Sequence, residues 1–366
     1  MKKTAKVTWI KYNNFGTYLQ AYALQQVIRR EGYDNDILDD SLIIEEGVQN
    51  ERFLLFRRQL GEWKCFVTNR KYSCLKKKSE RAYQDFQRKY LKINTRILPL
   101  EKLDSQYDMF ICGSDQIWFP HVNIYSPYYY LDFTQKKKIA YAPSVGVCDY
   151  PKGFVSKTRP LLERFDYLSV REEQGAQLLA SFLEKPICTV LDPTLLLERE
   201  VWKRFVKEGV QEKEKYVLCY FLTPNVWYLN YVKEFANRFH LPLKIFCTHP
   251  SYVAWEGCIA AGPEEFLNYI YHSEYFFTDS FHGSIFSILF EKRFCTFKRF
   301  TDSSKENQNS RILHLFNLLG LSKYFVGESD AGRIEGLGQI DYSSVKEKLS
   351  THRKQSLDYL VNALKN

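Results

Sequence analysis

Long apolar runs are missing from this sequence of 366 residues. No window approaches the ~18 apolar residues that a membrane span requires, so no transmembrane helix is expected. The first residues carry the basic charges of a signal peptide, but the apolar run that should follow them ends at Ile10. With a hydrophobic content of 45% and a charged content of 26%, these absences predict a cytoplasmic globular protein, long enough for two domains of ordinary size.

The cysteine spacings of disulfide frameworks and zinc sites are also missing. The nine cysteines are scattered singly, no CxxC occurs, and five of them fall in apolar, strand-like runs. This pattern predicts reduced, buried thiols. The seven histidines are too dispersed to ligate a metal by local spacing, so we expect no metal and no cofactor.

The sequence has no P-loop, no GxGxxG fingerprint and no residue order typical of a Ser–His–Asp or Cys–His catalytic group. A dinucleotide-binding function therefore has little support. After the first predicted strand the chain instead has Asn14, Gly16 and Thr17, in a tight turn that opens a helix. Backbone N–H groups at a helix N-terminus favour an anion, so we predict that these three residues line a ligand-binding cleft.

Positive charge is concentrated in one segment. Residues 52–92 contain thirteen lysines and arginines against three acidic residues, a charge of +10, while the whole chain carries +9. A nucleic-acid-binding protein would not normally confine its charge to one insertion, so we expect no nucleic-acid partner. Three interpretations remain: a solvated helical face, a mobile helix over a cleft, or a patch that faces an anionic membrane surface or a phosphorylated partner.

Short apolar runs rich in Val, Ile, Tyr and Phe alternate with stretches of helical periodicity. This alternation predicts an α/β fold of two Rossmann-like, doubly wound domains that face each other across a cleft. We place the first domain at residues 1–212, with 52–92 as a helical insertion, and the second at 213–340. A last helix in residues 341–366 could cross back to the first domain. The predicted strands are Ala5–Ile10, Asp36–Asp39, Asp108–Gly113, Lys138–Ala142, Tyr167–Val170, Ile187–Leu191, Tyr216–Leu222, Leu243–Cys247, Tyr275–Thr278 and Phe294–Phe297.

Ligands of such sheets lie beyond the carboxyl ends of the strands, so the residues directly after each strand are candidates for a site. Gly113, Ser114 and Asp115 follow the third predicted strand. The glycine allows a close approach, Ser114 or Asp115 can cap the next helix, and Asp115 could instead act as a general base. Trp118 offers a flat face for a sugar ring, although its spacing is typical of a core residue.

Two further strand ends carry charged residues. Arg171 emerges where the fifth predicted strand gives way to a helix. There it can bind a carboxylate or phosphate through two hydrogen bonds, or form an ion pair with a nearby acid. Asp192 follows the sixth predicted strand, and we expect it to be structural, either capping or orienting a neighbour.

A histidine stands in the polar turn after Tyr275–Thr278. Ser280 and His282 lie in this turn, and Gly283 and Ser284 open the helix that follows. His282 is either a core residue or a group that exchanges protons at the cleft. If it faces the cleft, it supplies the acid–base group of a site.

Three more cations are predicted at the same rim. Lys298 and Arg299 follow the next strand, and Arg311 stands at a later helix start. With His282 on the same edge and Arg171 opposite, they would form a site for a small anion with several charges.

Several segments, in this order and spacing, resemble the polysaccharide pyruvyl transferase family. The resemblance runs from about Lys6 to Phe325, and its motifs are specific when taken together. They are NNFGTYLQAYALQQVI, YDMFICGSDQIW, LSVREE, VLDPTLL, TDSFHGSIFSILF and NSRILHLFNLLGL.

The resemblance implies a GT-B-like pair of Rossmann-type domains. It also implies transfer of pyruvate from phosphoenolpyruvate to two hydroxyls of a sugar in a bacterial surface glycan, which gives a cyclic ketal. The essential histidine of the family matches His282, its strand-end arginine matches Arg171, and its later basic residue corresponds best to Lys298. Many members have an arginine where this chain has Ser280, which leaves donor binding to Arg171, Lys298, Arg299 or Arg311.

Two other functions remain open at the level of sequence. The same arginines could hold the diphosphate of a nucleotide sugar in a GT-B glycosyltransferase, or the chain could be a non-catalytic glycan-binding or scaffold protein. For a pyruvyl transferase we expect two partners, phosphoenolpyruvate and a saccharide acceptor. The acceptor could be linked to a lipid. Residues 52–92 would then contact the inner face of the membrane.

Overall fold

A computed structural model describes residues 2–10, 12–39, 69–95, 100–122, 124–207, 215–301, 308–330, 334, 336 and 338–366. The strands in these ranges are β1 Lys3–Val7, β2 Asp34–Leu38, β3 Ile93–Asn94, β4 Met109–Cys112, β5 Lys137–Ala140, β6 Leu168–Val170, β7 Ile187–Thr189, β8 Val217–Tyr220, β9 Leu243–Phe246, β10 Cys258–Ile259, β11 Tyr275–Thr278, β12 Arg293–Phe297 and β13 Phe325–Val326. The α-helices are α1 Phe15–Arg30, α2 Arg70–Tyr90, α3 Leu100–Asp104, α4 Lys152–Leu162, α5 Glu173–Ala180, α6 Arg199–Lys203, α7 Val226–Arg238, α8 Pro263–His272, α9 Phe281–Leu289, α10 Ser310–Leu319 and α11 Tyr342–Lys365.

The first sheet has the strand order β3-β2-β1-β4-β5, and every pair in it is parallel. The parallel pair β6–β7 continues beside β5 through a bridge between Ile139 and Tyr167. The order reverses between β1 and β4. Such a reversal opens a crevice at the carboxyl ends of the two strands, where ligands of doubly wound sheets bind.

The second sheet repeats this plan with the order β10-β9-β8-β11-β12-β13, again with every pair parallel. Its reversal lies between β8 and β11. Its central strands are apolar runs with most residues buried, as expected where helices cover both faces of a sheet. The structure therefore has an α/β fold with two Rossmann-like, doubly wound sheets, as predicted.

The strand predictions miss three short edge strands, namely β3, β10 and β13, each of which has two residues. Two residues are too few to show a period of two in the sequence. A helix boundary also differs from the prediction. Helix α9 begins at Phe281, so His282 lies in its first turn and not in the preceding loop.

The last helix, α11, returns to residues of the first sheet and its connections. The hydroxyl of Tyr33 donates to the carbonyl of Leu364, and that of Tyr359 donates to the carbonyl of Ala140. The backbone N–H of Leu191 donates to the hydroxyl of Ser356. These hydrogen bonds therefore attach the C-terminal helix to the first domain.

Helix α2 is the described part of the basic segment 52–92, since residues 52–68 lie outside the described ranges. It packs between the domains: Tyr83 stacks on Phe15 of α1 with centroids 5.5 Å apart, and Ser79 accepts from the backbone N–H of Ala261. Residues 69–95 do not line the pocket between the sheets. The prediction of a mobile helix over the cleft is therefore wrong for this part, because buried aromatic contacts hold it elsewhere.

The cysteine prediction holds only in part. The described cysteines are free thiols, but only Cys112, Cys219 and Cys295 are buried. The exposed cysteines are Cys74, Cys148 and Cys188. Among the described helices, none is both long and apolar enough to cross a membrane.

Candidate active site

A pocket of about 340 Å³ lies where the carboxyl ends of β1, β4, β8 and β11 meet between the two sheets. This is the position that the two reversals of strand order predict for a ligand. It is lined by Trp9, Tyr12, Asn13, Asn14, Thr17, Asp115, Gln116, Leu222, Asp279, Ser280, Phe281, His282, Arg299, Phe300, Gln308, Asn309, Arg311 and Ile312.

His282 lies in the first turn of α9, which Ser280 caps by accepting a hydrogen bond from the N–H of Gly283. Its side chain is 9% exposed, and its Nε2 lies 3.5 Å from a carboxylate oxygen of Asp192. The imidazole also abuts the start of α1, since a Cβ at Gly16 would lie 1.9 Å from Nδ1. Residues of the first domain thus contact a ring that the second domain supplies.

Asp192 is fully buried and touches two groups of the site. One of its oxygens lies 3.0 Å from Nη1 of Arg171 and faces His282, while the other accepts from the hydroxyl of Thr194 at 2.6 Å. Burial by itself would raise the pKa of Asp192, but the charge of His282, that of Arg171 and the hydrogen bond from Thr194 together lower it below its usual value. The carboxylate therefore stays charged beside His282 and Arg171.

Arg171 lies behind the pocket wall, with a side chain that is fully buried. Its guanidinium carbon is 4.8 Å from the ring centroid of Phe281, and its Nη2 is 4.0 Å from a carboxylate oxygen of Asp115. Neither Nε nor Nη2 makes a hydrogen bond to a described residue. A buried guanidinium with two unused donors is costly unless an anion or another acceptor satisfies it.

Arg299 and Arg311 line the pocket itself, from the second domain. Within the described chain, the Nε of each has no hydrogen-bond partner, although Nη2 of Arg311 donates to Gln308 at 3.0 Å. Burial, and next the charge of Arg171, lower the pKa of Arg311 to about 9. These cations lie close enough to repel one another, and an anionic ligand would relieve the repulsion.

Asp279 also lines the pocket and is almost wholly buried. Its oxygens accept from the backbone N–H groups of Leu222 at 2.7 Å and Thr223 at 3.2 Å, which fixes the turn after β8. Burial raises the pKa of Asp279 to about 6, against the opposing effects of the Leu222 N–H and the Arg299 charge. Its charge therefore changes within the range in which enzymes work.

The predicted residues of the first domain are brought together only in part. Asn14 caps α1 by accepting from the N–H of Gly16, and the hydroxyl of Thr17 donates to Asp115 at 2.6 Å. Asn14, Thr17 and Asp115 line the pocket, and Asp115 adopts a left-handed φ of 73°. Gly16 belongs to the site through its contact with His282.

Other predicted residues build the scaffold instead. Ser114 is fully buried and donates to the carbonyl of Ala142, and a Cβ at Gly113 would lie 2.1 Å from the carbonyl oxygen of Tyr141. In α9, the hydroxyl of Ser284 donates to the carbonyl of Ser280. Ser280 itself lines the pocket, while Gly283 allows the helix to approach β11.

Arg171, Lys298 and Trp118 are predicted in the cleft, but none of the three lines the pocket, and Arg171 is instead paired with Asp192. Lys298 does not line the pocket: its ammonium lies 6.0 Å from the ring centroid of Phe325, because consecutive residues after a strand point to opposite sides. Trp118 is 1% exposed and stacks on Tyr130 with centroids 5.5 Å apart, so its face is not open to a sugar. Arg299, which is predicted at the same rim, does line the pocket.

Sequence reasoning missed the aromatic residues Trp9 and Tyr12, which border the pocket. Tyr12 stands in the same turn as Asn14, so the strand-end rule could have found it. Trp9 lies inside the predicted strand Ala5–Ile10, whereas β1 ends at Val7. Sequence reasoning also assigned Asp192 only a general structural role. No group of three or more His, Cys, Asp or Glu side chains in the described ranges is placed to hold a metal ion.

Comparison with known proteins identifies the family. Residues 14–299 match the family model described as polysaccharide pyruvyl transferase. The chain belongs to the polysaccharide pyruvyl transferase family. The matched region includes His282, Arg171 and Arg299, whereas Arg311 lies beyond it. No curated protein sequence matches the chain.

Solved structures define the fold class of this family member. The S. aureus MnaA–UDP co-structure is similar with a TM-score of 0.52 and 11% identity, over 96% of this chain and 91% of that one. Methanocaldococcus jannaschii UDP-GlcNAc 2-epimerase, in complex with UDP-GlcNAc and UDP, gives 0.50 and 12%, over 100% and 99%. The glycotransferase of kitacinnamycin gives 0.50 and 11%, over 99% and 98%. At these identities the likeness shows the fold alone, a two-domain Rossmann-like architecture of the GT-B type.

Proposed function

We propose that this chain transfers pyruvate from phosphoenolpyruvate to two hydroxyls of one sugar residue in a bacterial surface glycan, such as a capsule or exopolysaccharide. The observation that carries the proposal is the juxtaposition of the His282–Asp192 pair with three arginines, each of which has an unused N–H. Phosphoenolpyruvate has a carboxylate and a phosphate, so it needs cations close to a group that moves protons.

The reaction requires a balanced movement of two protons. Protonation of the methylene of phosphoenolpyruvate forms the methyl group and gives the adjacent carbon oxocarbenium character. One sugar hydroxyl adds to that carbon, the C–O bond to phosphate breaks, and the second hydroxyl closes the ketal. The two hydroxyl protons end on the methyl group and on the released phosphate.

His282 is the group that we assign to proton transfer. It borders the pocket, and its Nε2 lies 3.5 Å from the charged Asp192, which would be the counter-ion of an imidazolium that donates to the methylene. After donation, the neutral ring can accept a proton from a sugar hydroxyl. Asp115 also lines the pocket and is a second candidate base for one of the hydroxyls.

Donor binding falls to Arg299 and Arg311, supported from behind by Arg171. The first two line the pocket, and the third reaches the same region through Phe281, whose ring lies 5.9 Å from the guanidinium carbon of Arg311. These side chains supply the positive charge that an arginine at position 280 would otherwise provide.

A nucleotide-sugar glycosyltransferase is the alternative, because two of the similar structures were solved with UDP. Isothermal titration calorimetry of the same protein with phosphoenolpyruvate, UDP-sugars and GDP-sugars separates the two functions. Our proposal predicts binding of phosphoenolpyruvate that weakens when Arg299 or Arg311 is replaced by Gln. Binding of a nucleotide sugar without binding of phosphoenolpyruvate would refute it. Binding of oligosaccharide with neither donor would instead support a glycan-binding scaffold.

We also propose that the chain works at the cytoplasmic face of the membrane on a lipid-linked acceptor. Helix α2 supports this, since residues 70–90 contain eight basic and two acidic residues, and its side chains Lys77 and Lys78 are exposed. Anionic lipids attract such patches by about 1 kcal/mol per basic residue.

Co-sedimentation with phosphatidylserine vesicles tests this location. Charge reversal of Lys76, Lys77 and Lys78 to Glu should abolish binding, whereas the same three changes at exposed lysines of separate elements should reduce it much less. The control lysines are Lys233, Lys323 and Lys354. Equal vesicle binding by both triple variants would remove the membrane proposal and leave the transfer reaction untouched.

A further inference from the structure

The pocket has two unlike walls. The second domain contributes the cations Arg299 and Arg311 together with the rings of Phe281 and Phe300, whereas the first domain contributes the rings of Trp9 and Tyr12. The ring centroids of Trp9 and Tyr12 are 5.0 Å apart and their planes are inclined by 56°. Both rings belong to the turn after β1, whereas Arg299 follows β12 and Arg311 lies in α10.

Tyr12 is 54% exposed, which is unusual for a ring beside a pocket. Of the large apolar side chains that are exposed in the described ranges, only Tyr12 and Phe239 are aromatic, and Phe239 borders a different cavity. Trp118, by contrast, is packed within the core. An amphipathic ring that stays in water next to a buried catalytic group is a ready contact surface for a ligand.

We propose that Trp9 and Tyr12 form the acceptor subsite and bind the apolar face of the pyranose ring that receives pyruvate. The inference rests on the proposed function, and it gives the sugar acceptor a contact surface of its own in the pocket. The C–H face of a sugar packs on an aromatic ring, while its hydroxyls need polar partners. Asn13, Gln116 and Asp115 line the same pocket and offer such partners.

The backbone places this subsite next to the proton-transfer group. Tyr12 lies in the turn that opens α1, and four residues later Gly16 touches the imidazole of His282. A sugar bound on Tyr12 would therefore lie over the N-terminus of α1. The imidazole of His282 lies at the same end of this helix, within reach of the sugar. An uncharged acceptor gains less from the arginines than an anionic donor does, so a separate contact surface for the sugar is expected.

The test separates acceptor affinity from donor affinity in steady-state kinetics. For Tyr12→Ala, the KM of the acceptor should rise on the order of 10-fold while the KM of phosphoenolpyruvate is unchanged, because the variant loses the ring on which the sugar packs. Tyr12→Phe keeps the ring and should restore the acceptor KM. Phe239→Ala removes an exposed ring outside this pocket and should change neither constant.

Saturation-transfer NMR with the acceptor panel gives a readout that needs no turnover. Signals from the C–H protons of the bound sugar should appear with wild-type protein and with Tyr12→Phe, and should fall with Tyr12→Ala. Unchanged sugar binding and acceptor KM in Tyr12→Ala would overturn the subsite even if pyruvate transfer is observed. If transfer is never observed but sugar binding still depends on Tyr12, the subsite stands and the proposed reaction fails. If a UDP-sugar binds through its base in a Tyr12-dependent way, the acceptor assignment is overturned.

Discussion

At the scale of single residues, His282 depends on two neighbours that come from distant parts of the chain. Asp192 supplies a permanent negative charge to one side of the imidazole, and Gly16 leaves room for the other side. Neither contact is visible in the sequence around the histidine. The sequence around a histidine therefore does not tell whether it belongs to a site or to the core. The residues that the fold brings into contact with it decide this.

Replacement of His282 by Gln should lower kcat for pyruvate transfer on the order of 100-fold or more, with little change in the KM of phosphoenolpyruvate. The amide keeps the polar volume but cannot exchange a proton. Phosphate release under saturating substrates measures the effect. His352→Gln, on α11, is the control and should be active. Near-normal kcat in His282→Gln would rule out this histidine as the proton-transfer group.

Gly16→Ala should reduce kcat without unfolding the protein. Alanine favours the helix by about 1 kcal/mol, but its Cβ would lie 1.9 Å from Nδ1 of His282, so the ring must move. Gly153→Ala is the matched control, because it also lies in a helix and a Cβ there meets nothing within 4 Å. Circular dichroism checks the fold of both variants. Equal kcat in the two would show that the orientation of His282 is unimportant.

Asp279 should make donor binding depend on pH. Burial raises its pKa to about 6, so above that value its negative charge opposes an anion beside Arg299. Asp279→Asn should therefore bind phosphoenolpyruvate more tightly than wild type at pH 8, and the two proteins should converge at pH 5. Comparing them at each pH by calorimetry cancels the ionisation of the ligand itself. A constant ratio of dissociation constants from pH 5 to pH 8 would contradict the assignment.

At the scale of elements, helix α2 joins the two domains on a side away from the pocket. Tyr83 packs on α1 of the first domain, while Lys89 lies 3.2 Å from Glu264 at the start of α8 in the second. Ala82 lies so close to Gly262 that a Cβ on that glycine would be 2.5 Å from the Cβ of the alanine. We therefore expect α2 to set how closely the domains approach.

Gly262→Ala should lower the free energy of unfolding by about 1–3 kcal/mol, the usual cost of overpacking a tight contact. Urea denaturation followed by tryptophan fluorescence measures it. Adding Ala82→Gly removes one of the two clashing Cβ atoms and should recover part of the loss beyond its own helix penalty. Additive effects of the two substitutions would show that they do not touch, and would contradict the packing described here.

The bounds of some strands and helices could be predicted from the sequence, and those of others could not. Strand β11 was predicted at its observed bounds, because four consecutive apolar or β-branched residues are followed by a polar turn. The two-residue strands β3 and β10 were missed, because edge pairing depends on a neighbouring strand and not on local periodicity. The start of α9 was placed too late, since the Ser280 cap was not recognised as its boundary.

At the scale of the whole molecule, two copies of one topology bring four strand ends to a single pocket. The alternation of strands and helices was enough to predict this architecture and the edge at which the site lies. It could not predict which side of a strand end faces the pocket, and so both Lys298 and Arg299 were expected there although only Arg299 lines it. Nor could it predict that residues near Tyr130 would cover Trp118 and leave Tyr12 exposed instead.

The central claim is that the pocket between the two sheets binds phosphoenolpyruvate and moves its pyruvate to a sugar. A time course by ¹H and ³¹P NMR, with phosphoenolpyruvate, UDP-sugars and a panel of lipid-linked or para-nitrophenyl sugars in one tube, tests it most directly. We expect phosphate to appear together with the methyl singlet of a ketal on one sugar, and we expect His282→Gln to abolish both signals. Consumption of a UDP-sugar while phosphoenolpyruvate stays intact would contradict it.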